Sequence, residues 1–259
     1  MDNSVIRISL AQYDIAWENK SANLAKIENI VENLSGITDI VVLPEMFSTG
    51  FSMNSHSLAE PIEGETITLI KHLSQKHDLA ICGSYIAIDN GTYYNRGFFI
   101  TRDEDHYYDK RHLFGMGNEP KYFKNGKKRL VFKHKGFNIC LLICYDLRFP
   151  VWARNVDNEY DLLIYVANWP ASRAKVWYTL LDARAIENMC YVCGVNRIGT
   201  DGNGLLHEGG SKLVNAKGQE MTSIVKGEDI QTVAILKKEL DEFRQKFPVW
   251  KDADRFVIE

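Results

Sequence analysis

Apolar residues recur along the chain in two alternating periods. VIRISLAQ (5–12) reads as a buried strand, KSANLAKIENIVENL (20–34) spaces its apolar positions as a helix does, and TDIVVLPE (38–45) returns to strand. GETITLIKHLSQKHD (64–78) predicts a second amphipathic helix feeding the strand LAICGSYIAI (79–88). TYYNRGFFIT (92–101) and EDHYYDK (104–110) predict a hairpin across Arg102 and Asp103. KGFNICLLIC (135–144) is the next strand, VWARNVDN (151–158) a short helix, and YDLLIYVANWP (160–170) another strand. RAKVWYTLLDARAIENM (173–189) predicts a longer helix, followed by strand patterns at YVCGVNRIG (191–199), near KLVNAKGQEMTSIV (212–225) and at IQTVAILK (230–237). This order implies an α/β protein with two sheets in one domain, residues 1–259, and helices outside.

Composition narrows the classes. With 45% apolar and 25% charged residues in 259, the chain can bury a substantial core. A net charge of -3 gives no global attraction to nucleic acid or to an anionic membrane. MDNSVIRISL lacks the basic and apolar regions of a leader, and no apolar run has the length of a membrane span, so a cytoplasmic protein is expected. Five cysteines, an odd number within apolar stretches, fit reduced thiols better than a disulfide framework.

Three strand ends carry chemistry-bearing side chains: Glu45 after VVLP, Lys110 in YYDKRHLF, and Cys144 in LLICYDLRFP, where Pro150 suits the first turn of a helix. Singly, each is more often a solvated turn carboxylate, a surface charge or a buried small hydrophobe, and none alone would support a function. A four-thiolate zinc site from Cys140, Cys144, Cys190 and Cys193 fails on geometry. Along a strand the first two lie about 13 Å apart, and the last two point to opposite faces. No metal is expected, and Cys82, Cys140, Cys190 and Cys193 are read as core. Of the seven histidines, His112 and His207 remain open as partners of Cys144, but no Cys–His dyad is supported by spacing. GTDGNG (199–204) lacks the pattern of a phosphate loop and reads as a turn.

Together and in this order, IVVLPEMF, YYDKRHLF and LLICYDLRFP resemble the three catalytic signatures of the nitrilase superfamily of carbon–nitrogen hydrolases. GNEPKYFKNGKK resembles that family's loop with a second glutamate, here Glu119, and DARAIENMCYVCGVNRIG its long helix and following strand. CYD after the nucleophile strand points to the amidase branches, and NWPASR with NRIGTDGNG resembles the omega-amidase branch. Met189 where Gln is common, and NAKG for a Pro-Gly turn, depart from the pattern without touching these residues. The resemblance implies a four-layer α-β-β-α sandwich, a homodimer, no cofactor, and amide hydrolysis through a cysteine thioester.

It also implies roles. Glu45 is the general base and acid, Cys144 the nucleophile, and Lys110 with the backbone N–H of Tyr145 the oxyanion donors, while Glu119 positions Glu45 or the amide. The Cys144 thiol is expected to be acidified by a cation and a helix terminus. A small-molecule amide with a carboxylate at its far end, such as 2-oxoglutaramate or 2-oxosuccinamate, calls for an arginine. Arg173 is the first candidate and Arg197 the second, with Trp169, Phe51 and Phe47 as pocket walls. Arg148, Arg154 and Arg184 are expected in ion pairs with acids such as Asp146 and Glu187. Trp152, Trp177 and Trp250 could serve a dimer face or be buried. Another amide or N-carbamoyl hydrolase, and a catalytically silent binding protein, are the alternatives.

Overall fold

The run VIRISLAQ becomes β1 (Val5–Gln12), with all but two of its side chains buried. The structure, a computed structural model, describes residues 3–257. α1 (Lys20–Asn33) starts where the Asn19 side chain accepts the N–H of Ala22, and its apolar stripe of Leu24, Ile27, Ile30 and Val31 faces inward. The short β2 (Ile40–Val42), a single turn of helix α2 (Ser55–Leu58) and the amphipathic α3 (Glu65–His77) follow. β3 (Ala80–Asp89), β4 (Thr92–Ile100) and β5 (Asp105–Asp109) form an antiparallel meander. With β13 (Asp229–Leu236) they complete a six-stranded sheet ordered β13-β1-β2-β3-β4-β5.

The second sheet, ordered β12-β9-β8-β7-β6, contains β6 (Val131–His134), β7 (Phe137–Ile143), β8 (Leu162–Ala167), β9 (Tyr191–Asn196) and β12 (Lys212–Val214). α4 (Ala174–Asn188) lies between β8 and β9 in sequence and packs Trp177, Leu181 and Ala185 toward that sheet. β10 (Ile198–Thr200) and β11 (Leu206–Glu208) form a separate hairpin, and α5 (Lys237–Lys246) follows β13. α1 and α3 cover the outer face of the first sheet, so the layers run helix, sheet, sheet, helix, the expected α-β-β-α sandwich.

The two sheets bury Ile6, Ile8, Leu10, Ile40, Val42 and Phe99 of the first against Leu141, Ile143 and Cys193 of the second. At Gly97 on β4 the second sheet packs directly against the backbone of the first. A Cβ there would stand 3.1 Å from Leu141 Cδ2 and 3.3 Å from Ile143 Cδ1.

Several expectations need correction. VWARNVDN is not a helix. Asp157 (φ 52°) and Asn158 (φ 56°) are left-handed, and Asn155 spends its side chain on the backbone of Tyr160 and Asn188, which leaves only a short 3-10 turn. Pro150 likewise starts no α-helix and instead opens a turn after the 3-10 helix spanning Cys144–Arg148. YVCGVNRIG is two strands broken at Arg197, and β6 and α5 were not anticipated. Trp152 and Trp177 are interior residues and unavailable to a dimer face. GTDGNG is the expected turn, closed by Asp201 Oδ1 accepting from the N–H groups of Asn203 and Leu205. Cys82, Cys140, Cys190 and Cys193 are fully buried core residues.

Candidate active site

Sheet geometry brings Glu45, Lys110, Glu119 and Cys144 to one point between the sheets. Glu45 follows β2, Lys110 follows β5, and Cys144 follows β7, so three strand ends on two sheets converge. Glu45, Lys110 and Glu119 are wholly buried. Lys110 Nζ donates to Glu45 Oε1 at 2.8 Å and to both Glu119 oxygens at 3.0 Å. Asn95 Nδ2 donates to Glu45 Oε1 (2.8 Å) and to Glu119 Oε1 (3.1 Å). Its own Oδ1 accepts from Ser84 Oγ, which in turn accepts the N–H of Met46. The N–H of Asn168 donates to Glu45 Oε2 at 2.9 Å, and its Nδ2 donates to the Glu45 carbonyl. Each oxygen of Glu45 is therefore aimed by a partner, and Asn168, at the end of β8, locks it to the second sheet.

Buried charge in this cluster needs compensation. Burial alone would favour the neutral amine of Lys110, but Glu119 and Glu45, and then Cys144, hold it as an ammonium with a raised pKa. Burial lifts the Glu119 carboxyl, Lys110 opposes that, and the Glu45 charge adds to it, so Glu119 sits above the usual carboxylate range.

The Cys144 thiol departs from expectation. Burial is the largest influence and raises its pKa; Glu45 adds to this, and Lys110 only partly offsets both. The resting nucleophile is a protonated thiol whose proton requires a base. Cys144 also adopts φ 42°, a left-handed conformation that costs a residue with a Cβ of order 1 kcal/mol or more. The cost is met by the surroundings. Asp146, fully buried two residues on, accepts from the N–H of Ile143 (3.1 Å), Tyr108 OH (2.8 Å), the N–H of His112 (2.9 Å) and His112 Nδ1 (2.8 Å). Tyr108 and His112 flank Lys110, so one carboxylate ties the nucleophile turn to the segment bearing the lysine. His112 is thereby a partner of Asp146, not of Cys144.

A cavity of about 420 Å³ opens onto Glu45, Lys110 and Cys144. Phe51, Trp169 and Arg173 line it as expected, together with Tyr145, Arg148, Asn168, Asp201 and His207. Lys110 Nζ lies 5.2 Å from the Phe51 ring centre. Phe47 instead packs edge-on against Phe98 in the core. Arg197 is buried in a pair with Asp14 and in bonds to the Ile15 and Ile198 carbonyls, away from the cavity. Arg184 pairs with Glu187 as expected, whereas Arg154 donates to the Glu187 carbonyl and makes no ion pair among the described residues. Arg148 makes no ion pair with Asp146, whose oxygens are taken by Tyr108 and His112; it lies over the Trp169 ring at 5.3 Å. Ser84, Asn95 and Asn168 escaped the sequence reading. The signal for Asn95 was a polar amide inside the apolar strand TYYNRGFF, a residue type depleted in strands.

Comparison with known proteins agrees with this arrangement. The carbon-nitrogen hydrolase family matches residues 7–245. Omega-amidase YafV of Yersinia enterocolitica is 42% identical, with 98% of this chain and 99% of that protein aligned. The 2-oxoglutaramate amidase of Bacillus subtilis is 32% identical over 95% of this chain and 96% of its own. A crystal structure of a carbon-nitrogen hydrolase superfamily protein from Xanthomonas campestris, with an arsenic adduct in its active site, superimposes with a TM-score of 0.97 at 40% identity, covering 100% of both chains. Strand order, buried cluster and these likenesses agree, and the chain belongs to the carbon–nitrogen hydrolase family of the nitrilase superfamily.

Proposed function

We propose that the protein is an omega-amidase, cleaving the terminal carboxamide of small dicarboxylate monoamides, with 2-oxoglutaramate and 2-oxosuccinamate as substrates. The observation that carries this reading is the convergence of Glu45, Lys110 and Cys144 on a cavity that Arg173 also lines. Relatives that are themselves an omega-amidase and a 2-oxoglutaramate amidase support it.

In the proposed reaction, Glu45 takes the thiol proton as Cys144 Sγ attacks the carboxamide carbon. Lys110 Nζ and the N–H of Tyr145 receive the developing oxyanion. Tyr145 lies in the first turn of the 3-10 helix, where N–H groups lack partners within the helix. Glu45 then protonates the departing ammonia, leaving a thioester, and next takes a proton from water, whose oxygen attacks the thioester carbon. The acid leaves and the thiol is restored. Glu119 touches Lys110 rather than the cavity and acts by holding the ammonium in place. Arg173, which makes no ion pair among the described residues and lies 5.4 Å from the Phe114 ring centre, takes the substrate carboxylate.

We further read the chain as one hydrolase domain that pairs as a homodimer in the cytoplasm and needs no cofactor. The shared interior of the sheets, exposed Ile186 on α4 and five free cysteines support these readings in part, and light scattering tests the dimer. No helix among the described residues is long and apolar enough to cross a membrane.

Purified protein with 2-oxoglutaramate, assayed for ammonia and 2-oxoglutarate together, tests the activity. Equal release of both, abolished in Cys144→Ala, is expected. A folded wild type that hydrolyses other amides but not this one would overturn the assignment.

A further inference from the structure

Among the methionines of the described residues, Met46 and Met189 are buried and Met53 and Met221 half-buried, while Met116 is 86% exposed. Met116 also lines the cavity that opens onto Cys144. It stands at the centre of a 3-10 turn, Gly115–Gly117, between two glycines that have no side chain to shield it. The turn is closed at its base. The Phe114 carbonyl accepts the N–H groups of Gly117 and Glu119, and the Phe114 N–H donates to Glu119 Oε2. Met116 is thus held at the cavity by the same loop that seats Glu119 against Lys110. That loop also touches the pocket cation, because the Phe114 ring centre lies 5.4 Å from the Arg173 guanidinium carbon. The two sulfurs of this cavity wall differ in what a peroxide can do to them. Cys144 is the one cysteine not classed with the buried core, but a thiol reacts with a peroxide as its thiolate, and burial together with the Glu45 charge keeps this one protonated. A thioether has no proton to lose before it reacts, so access is what protects it, and Met116 has no such protection.

We propose that Met116 is a modification site at the cavity mouth, taken to its sulfoxide by peroxides before Cys144 is touched, and that the sulfoxide weakens substrate binding. In the step, the thioether sulfur attacks one oxygen of hydrogen peroxide and the O–O bond breaks. Sulfur keeps that oxygen as S=O, and the other leaves as water with both hydrogens; sulfur is oxidised and the peroxide reduced. An apolar side chain at the mouth becomes a polar one carrying a strong acceptor. Arg173, which lines the same cavity and makes no ion pair among the described residues, is the donor that acceptor meets. The sulfoxide oxygen then competes with the substrate carboxylate for the guanidinium. This effect rests on the omega-amidase reading, whereas the oxidation itself does not. Glu45, Lys110 and Cys144 are chemically unaltered, so the loss falls on binding and is reversed when the sulfoxide is reduced.

The test treats wild type, Met116→Leu and Met116→Gln with rising doses of hydrogen peroxide, maps added oxygen by peptide mass, and measures kcat and KM for 2-oxoglutaramate before and after. Met116 is expected to gain one oxygen while Cys144 still takes up iodoacetamide after unfolding. KM should rise about 10-fold, the scale of a hydrogen bond to a charged group, with kcat little changed. A pair of methionine sulfoxide reductases, one for each epimer, should restore it. Met116→Leu removes the sulfur and should hold its own untreated KM through the same dose. Met116→Gln places a permanent polar group at the mouth and should show a raised KM without peroxide. Oxygen on Cys144 before Met116, a wild-type KM indifferent to the sulfoxide, or a Met116→Leu enzyme as sensitive as wild type would each overturn the proposal. A wild type inert toward 2-oxoglutaramate but active on another amide would overturn the omega-amidase reading, while the peptide map would still decide whether Met116 is oxidised first.

Discussion

Replacing Lys110 with Met separates two functions of one side chain. The wild-type ammonium lies 2.8 Å from Glu45 Oε1 and 3.0 Å from both oxygens of Glu119, with none of the three residues exposed. Methionine preserves much of the volume but leaves two buried carboxylates with no cation, held by the Asn95 amide they share and by the N–H groups of Asn168 and Phe114. Breaking a buried ion pair from one side costs about 3–5 kcal/mol, and losing one oxyanion donor lowers kcat about 100- to 1,000-fold. The double variant Lys110→Met/Glu119→Gln removes the surplus charge as well. It should regain more than half of the lost stability and none of the turnover. The sign with pH follows. Without its cation the Glu119 carboxyl, already raised by burial, rises further above its unfolded value of about 4.3. A raised carboxyl is tolerated while protonated and costs stability once the pH climbs through its folded pKa, so the single variant loses most at neutral pH and least near pH 4. Urea unfolding of wild type, both single variants and the double variant across that range supplies the double-mutant cycle, with ammonia release as the activity readout. A Lys110→Met protein as stable as wild type at neutral pH, or turnover restored in the double variant, would refute the reasoning.

Asp146→Asn should cost about 2–3 kcal/mol of stability, through loss of charge-assisted bonds, and lower kcat about 10- to 100-fold by displacing Lys110 relative to Cys144. Asp146 does not line the cavity, so KM should barely move; a loss confined to KM would count against the tether. Ultraviolet thiolate absorbance, taken as wild type minus Cys144→Ala, should be flat through neutral pH and rise only in alkali, because burial keeps the thiol protonated; a thiolate already present at neutral pH would contradict this. Burial first, and then Lys135, hold His134 down to about 4, below its free value of about 6.5. Its folded pKa being depressed, that stability is complete above about pH 6.5 and is lost toward pH 4, so His134→Gln should flatten the stability profile in that window. An unchanged slope would assign the pH dependence to other groups.

Strands such as β8 and β9 were legible as short apolar runs buried on both faces, and α1 and α3 because each turns one apolar stripe inward. α5 was not, since in KKELDEFRQK only Leu240 and Arg244 are buried. The three strand ends bearing Glu45, Lys110 and Cys144 stood out as local signatures, and the structure does bring them together. What sequence could not supply was their electrostatics. The acidic thiol expected beside a cation is instead a raised one, because the residues that bury it come from distant segments. Arg148 and Arg197 exchanged their expected settings for the same reason. Asp14, 183 residues from Arg197, takes that arginine out of consideration. Tyr108 and His112 occupy the acid expected beside Arg148 and leave its guanidinium for the cavity.

Glu45 and Lys110 belong to one sheet and Cys144 and Asn168 to the other, and packed side chains set the gap between them together with the bonds of Asn168 to Glu45 and of Asp146 to Tyr108 and His112. The interior therefore acts as a spacer gauge for the chemistry. At Gly97, where an added methyl would meet Leu141 and Ile143, wedging the layers apart by a few tenths of an ångström would lengthen the reach from base to thiol long before it unfolded the chain. Changes accepted by the interior of this protein are thus filtered by turnover as well as by stability, and core positions far from the cavity fall under the same constraint as the residues that line it.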